Sequence, residues 1–309
     1  MTGGPSHFIF ATEDGTISGW NSSSNAVLAV DNSAASAVYK GLARGAQGST
    51  NLLFATDFHN AKIDVFGGDF KSVTNSVAFV DTNMPAGFAP FGIHSLQGKL
   101  YVTYAKQDSD KMDDVPGDGN GFIDVYDLSG NLQTRLISNG PLNSPWGLAM
   151  APFNFGPFGG ALLVGNFGNG AINAFNPTNG TFLGALQDAT GKPLKIEGLW
   201  ALQFGNGGKG GDPNLLYFTA GPVQEEHGLF GSLAPVGSVQ ITAVTVDATT
   251  LTLTWSGGTP PYVIQEKSSL TDPQWTDLTT TSATKATVPR TGAAGFFRIS
   301  DAIVGAIAR

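Results

Sequence analysis

The stretch GPLNSPWGLAMAPFNFGPFGGALLVGNFGNGAINAFN, residues 140–176, holds the repeat that decides the fold. ALLVGN and AINAFN are short apolar runs on either side of Phe-Gly-Asn-Gly, a turn sequence, so they read as a β-hairpin. PWGLAMA, just upstream, is a further strand. Its Trp-Gly pair suits a crowded position, because a residue without Cβ lets another backbone come close.

The same order recurs along the chain. FIFATEDGTISGW (Phe8–Trp20), LLFATDFHNAKIDVF (Leu52–Phe66), LYVTYAKQ with GFIDVYD (Leu100–Asp127) and LLYFTAGPVQEEHGLFGSL (Leu215–Leu233) are hairpins of the same kind. PFGIHSL from Pro90 and GLWALQF from Gly198 precede two of them as PWGLAMA does, and VYKGLA from Val38 is a weaker equivalent. A poorer fourth strand such as NLQTRLI (Asn131–Ile137) follows most hairpins, as a solvent-facing edge would. The unit is a four-stranded meander of roughly 45 to 60 residues, the size of a propeller blade. A stacked solenoid fits less well, since its repeats are shorter and more even. The sequence therefore predicts an all-β chain: a β-propeller of about five blades over residues 1–234, then a small C-terminal β-sandwich over residues 235–309. No inner strand precedes the first hairpin, so the ring is expected to be incomplete at its N-terminal side.

Composition agrees. The 309 residues include 42 Gly and 17 Pro with only 13% charged side chains, which suits short strands and tight turns. The net charge of −8 and the lack of a Lys/Arg cluster exclude a nucleic-acid partner. Cysteine is absent, so disulfides and thiolate chemistry are excluded. No apolar run is long enough to span a membrane, and the first residues lack the basic and apolar regions of an export signal.

FIFATEDGTISGW, LYVTYAKQD, GPLNSPWGLAMAP, LLVGNFGNGAINAF and LYFTAGPVQEEHGLFGSL resemble an uncharacterised bacterial family of exported propellers. That family is associated with PEP-CTERM sorting systems and is distantly similar to NHL-repeat propellers. The resemblance implies a six-bladed ring, with one more blade upstream than this chain holds. It also implies a secreted or cell-surface location, and no established activity. The Thr- and Val-rich segment after Ala234, with strands at LTLTWSG, YVIQEKSS, WTDL, KATVP and FFRIS, is similar to fibronectin type III-like modules. Trp255 and Trp275 read as core residues of that module.

Propellers gather their sites at one mouth, where the turn between a blade's second and third strands meets the connection to the next inner strand. Those turns carry Glu13 and Asp14; Asp57 and His59; Lys106; Asn166; and Glu225, Glu226 and His227. The connections add Trp146, Glu197 and Trp200. Asp57, His59, Glu226 and His227 have the chemistry for acid–base or metal-assisted catalysis; the others suit ligand binding. Turn residues are also polar merely to meet water, and that reading carries equal weight.

The loop QDSDKMDDVPGDGNGFID (Gln107–Asp124) clusters Asp108, Asp110, Asp114 and Asp118, oxygen ligands that suit a divalent cation such as calcium. It lacks EF-hand spacing, so a solvated acidic lid is the alternative. GNGGKGGDP (Gly205–Pro213) joins two strands and opens no helix, so it is a turn and not a phosphate loop. Two functional readings stay open. One is an extracellular binding or scaffolding propeller for a carbohydrate or other small molecule, able to self-associate through an unclosed edge. The other is a hydrolase or lyase acting on a sugar, lactone or ester at the mouth.

Overall fold

The computed structural model describes residues 4–73, 79–188, 191–235, 239–258, 260–269, 271–272, 274–290 and 295–301. Its contacts divide the chain into two compact units, residues 1–152 with 160–233, and residues 153–159 with 234–309.

The first unit is a β-propeller of five antiparallel sheets in chain order. Blade one holds β1 (Phe8–Ala11), β2 (Thr16–Trp20) and β3 (Val27–Asp31). Blade two holds β4 (Tyr39–Gln47), β5 (Thr50–Asp57) and β6 (Lys62–Gly67). Blade three holds β7 (Phe88–Leu96), β8 (Lys99–Lys106), β9 (Phe122–Tyr126) and β10 (Leu132–Ser138). Blade four holds β11 (Pro145–Met150), β12 (Leu162–Asn166), β13 (Ile172–Phe175) and β14 (Phe182–Ala185), and blade five β15 (Leu199–Phe204), β16 (Leu216–Ala220) and β17 (Leu229–Leu233).

Alternation along the strands sends one set of side chains to each neighbouring blade, so the cores lie between blades. Ile17, Tyr39, Leu53, Ala55 and Phe66 fill the space between blades one and two. Leu52, Phe54, Ile93, Val102 and Tyr126 fill the next, and Tyr101, Ile123, Leu148, Val164 and Phe175 the one after. The inner strands pack in succession, β4 on β7, β7 on β11 and β11 on β15. Among the described residues no comparable packing joins β15–β17 to β1–β3. Apolar side chains stay exposed at those two flanks: Phe8 and Phe10 on β1, Leu229 and Phe230 on β17.

Close approach of the inner strands depends on three glycines. A Cβ on Gly41 would stand 2.8 Å from the Phe91 carbonyl oxygen, one on Gly92 2.4 Å from that of Trp146, and one on Gly147 2.3 Å from that of Trp200. The hydroxyls of the second strands fill what the glycines leave. Thr56 Oγ1 donates to the Phe91 carbonyl at 2.7 Å, and Thr103 Oγ1 accepts from the Gly92 amide at 2.8 Å.

The second unit has two three-stranded antiparallel sheets. One orders β18 (Gln240–Val246), β19 (Thr250–Ser256) and β22 (Lys285–Pro289); the other orders β21 (Thr276–Thr281), β20 (Tyr262–Lys267) and β23 (Phe296–Asp301). Leu251, Leu253, Trp255, Tyr262, Ile264 and Val288 form the core. Trp255 is the core residue the sequence suggests. Trp275 is only partly buried, its ring covered by Lys267 Nζ at 4.9 Å and the Arg298 guanidinium at 4.4 Å. The last residues, AIVGAIAR, lie outside the described residues.

Candidate functional site

All four inner strands carry a register shift at the same place: between Tyr39 and Gly41, Pro90 and Ile93, Pro145 and Leu148, and Leu199 and Leu202. Such a bulge bends its strand and re-aims the side chain inside it. The side chains re-aimed here are Lys40, Phe91, Trp146 and Trp200.

Together they build a floor at the centre of the blades. The Trp146 indole reaches from blade four to blade two, where its Nε1 donates to the Lys40 carbonyl at 2.8 Å. It meets Trp200 edge to face at 5.3 Å, and Trp200 lies against Phe167 at 4.3 Å and Phe91 at 5.7 Å. Phe58 packs beneath Phe91 at 5.3 Å. Phe58 and Phe91 are buried, whereas Trp146, Phe167 and Trp200 keep part of their surface in solvent.

Acidic groups surround this floor. Lys40 Nζ donates to Glu13 at 2.5 Å and to Asp113 at 3.0 Å; the lysine side chain is only 4% exposed, the two carboxylates 59% and 73%. Burial alone would depress the Lys40 ammonium, but its two carboxylate hydrogen bonds outweigh that and hold its pKa above the ordinary value. Asp114, beside it, is pushed up chiefly by burial, and no hydrogen bond reaches its Oδ2.

On the blade-five side, Glu197 Oε1 accepts the Val223 amide at 3.0 Å and Glu225 Oε1 accepts the Trp200 indole N–H at 2.5 Å. The turn between them is strained. Val223, Gln224 and Glu225 have φ of 57°, 52° and 65°, a left-handed run without a glycine. Backbone of this kind persists only where surrounding contacts enforce it, and it gathers at ligand sites.

The sequence-predicted residues divide in three. Glu13, Trp146, Glu197, Trp200 and Glu225 belong to the floor or its rim. Asp14, Asp57, Asn166 and Asp108 are occupied in holding turns. Asp14 Oδ1 accepts from Thr12 Oγ1 at 2.5 Å and from Thr16 Oγ1 at 2.9 Å, and these bonds hold its carboxyl below the usual range. Asp57 is fully buried; its Oδ1 takes the Val38 and Asn60 amides at 3.1 and 3.3 Å, and its Oδ2 the Asn60 side chain at 2.8 Å. Asn166, also buried, bridges the Asn143 amide and the Pro141 carbonyl, and Asp108 caps the Met112 amide at 2.9 Å.

The remainder do not assemble into the sites expected of them. Lys106 is exposed, and so are Glu226 and His227 on blade five. His59, on blade two, has a buried Nδ1 with no hydrogen-bond partner. No described contact joins Asp57 or His59 to Glu226 or His227. Asp110 points to Ser109, Asp118 accepts from Asn143, and Asp114 is partly buried. Among the described residues no three His, Asp or Glu side chains stand where one metal ion could be held.

Substitution of Asp57 by alanine strands the buried Val38 amide and releases the turn at Asn60, so it is expected to lower stability by about 2 kcal/mol. Urea unfolding followed by circular dichroism measures this; an unchanged midpoint would remove the structural role.

Fold and floor together define a β-propeller with an aromatic-floored mouth. No family model matches the chain. Three uncharacterised proteins of Acanthamoeba polyphaga mimivirus are 36%, 35% and 34% identical to it over 203, 201 and 195 residues. The matches take in 63%, 63% and 62% of this chain but only 37%, 51% and 47% of those proteins. Among solved structures, a nidogen/laminin complex aligns with 80% of this chain and 84% of its own at 19% identity and a TM-score of 0.45. A calcium-binding protein, regucalcin, from Agrobacterium tumefaciens aligns with 78% of this chain and 75% of its own at 14% identity and 0.43. Among the described residues, no helix is long and apolar enough to cross a membrane.

Proposed function

We propose that the propeller is a binding protein whose mouth takes a carbohydrate. The observation that carries this is the aromatic floor, with Trp146 and Trp200 set by the inner-strand bulges and Phe167 by the turn after β12, edged by Glu13, Asp113, Glu197 and Glu225. A sugar ring offers C–H faces for the indoles and hydroxyl donors for the carboxylates, so it answers both halves of this lining. The strained turn at Val223–Glu225 holds Glu225 on the Trp200 indole before any ligand arrives.

The test is isothermal titration with neutral oligosaccharides chosen by array screening. Trp200→Ala is expected to weaken binding at least about tenfold, and Glu225→Gln to weaken it less. Gln224→Gly, which relieves a left-handed residue, is expected to stabilise the fold by about 0.5–1 kcal/mol and to loosen binding. Undiminished sugar binding by Trp200→Ala, or no saturable binding across the array, would overturn the reading.

A further inference from the structure

A cavity of about 540 Å³ opens between blades one and two, well away from the mouth. That volume lies within the range of small-molecule sites. Strand β4 connects the two regions. Lys40 is at its mouth end, and Arg44 follows about 13 Å further along the strand at the usual rise.

Past the bulge, alternate β4 side chains turn to opposite interfaces. Ala43 enters the core between blades two and three, while Leu42 enters that between blades one and two. Arg44 has the same parity as Leu42 and lines the cavity where this core ends.

The lining has two parts. Ile9, Leu53 and Phe70, all members of the interblade core, make an apolar wall. Arg44 and Asn51 supply the polar side, and Gly68 leaves room beside them. Among the described residues, no hydrogen bond or ion pair engages the side chain of Arg44 or Asn51. The carboxylate of Asp69, on the same cavity, faces solvent and pairs with Lys71, whose Nζ stands at 3.1 Å and whose amide donates at 3.2 Å.

A solvent-exposed guanidinium with no ion-pair partner stands beside an apolar wall, a combination that suits an amphipathic anion. We propose that this cavity is a second binding site, for a small organic carboxylate. The apolar body of the ligand lies on Ile9, Leu53 and Phe70, and its carboxylate takes hydrogen bonds from Arg44 and the Asn51 amide.

Isothermal titration of the full chain with octanoate, octylammonium and octanol tests this site separately from the mouth. Octanoate is expected to bind saturably with one site per chain, and octanol and octylammonium much more weakly. Arg44→Gln is expected to weaken octanoate about tenfold or more with an unchanged melting temperature, since that side chain has no partner to lose. Gly68→Leu, which fills the cavity, is expected to abolish binding, and Trp200→Ala to leave it intact. Equal binding of octylammonium, unaltered octanoate binding in Arg44→Gln, loss of it in Trp200→Ala, or no saturation at millimolar octanoate would each overturn the proposal.

Discussion

Replacing Gly92 or Gly147 by alanine is expected to cost about 3 kcal/mol or more, a large part of the 5–15 kcal/mol that holds a typical domain together. The new methyl would stand 2.4 Å from the Trp146 oxygen in one case and 2.3 Å from the Trp200 oxygen in the other. Neither glycine needs a left-handed backbone, so the cost comes from space alone. Backbone is what blocks the methyl, and backbone in an inner strand cannot step aside as a flexible side chain would. Adjacent inner strands must therefore move apart by the better part of an ångström, which loosens the interblade cores and shifts Trp146 and Trp200 together. Gly41→Ala, at 2.8 Å, should cost less. Gly228→Ala, with no atom within 4 Å, is the control and should stay within about 0.5 kcal/mol of the parent. Urea unfolding monitored by circular dichroism measures all four. A Gly147→Ala protein as stable as the control would mean that the inner strands do not pack this closely.

Those glycines also mark how far the sequence could be read. The blades were legible because each hairpin is a pair of apolar runs around a turn, and because Phe91-Gly92 and Trp146-Gly147 repeat the same crowded step. The bulges were not legible, since a register shift is a property of two paired strands and leaves no mark in either alone. Lys40 was missed for that reason, although Lys40-Gly41 stands where Phe91-Gly92 and Trp146-Gly147 stand in the later blades. Phe167 was missed because a phenylalanine in a turn carries no sign that it will meet Trp200. Asp14 misled in the other direction. Like Asp31, Asp69, Asp81 and Asp127, it accepts the backbone N–H two residues on, the ordinary work of aspartate in a turn. Asp57 looks like a surface turn residue yet is fully buried, because it satisfies the Val38 amide 19 residues earlier, a contact that only the closed blade creates.

Two groups, the partly buried His94 and the fully buried Asp124, should give the propeller opposing pH dependences. His94, on β7, has Nε2 3.1 Å from the Trp146 carbonyl oxygen, so the neutral ring donates from that nitrogen. Burial pushes its pKa from 6.5 down to about 4, against the Trp146 hydrogen bond, which favours the charged form. Between those values the unfolded chain binds the extra proton, so His94 makes stability rise with pH and be lost as pH falls towards 4. Asp124, on β9, runs the other way. Burial, and then the charge of Asp81, raise it from 3.8 to about 7, although Arg135 and Tyr126 oppose the shift. Arg135 is shared, its Nε lying 3.4 Å from Asp124 and its NH2 donating to Asp81. The native state keeps a proton on Asp124 that the unfolded chain gives up above about pH 4, so stability falls as pH climbs towards 7 and levels beyond it. In the parent the two slopes largely cancel between about pH 4 and 6.5. Asp124→Asn keeps an oxygen for Arg135 and should expose the rising limb due to His94. His94→Gln keeps a donor for the Trp146 carbonyl and should expose the falling limb. Each limb is expected to be on the order of 2 kcal/mol, read from urea midpoints at several pH values across the window. If both variants follow the parent profile in parallel, neither group titrates differently in the folded and unfolded chain.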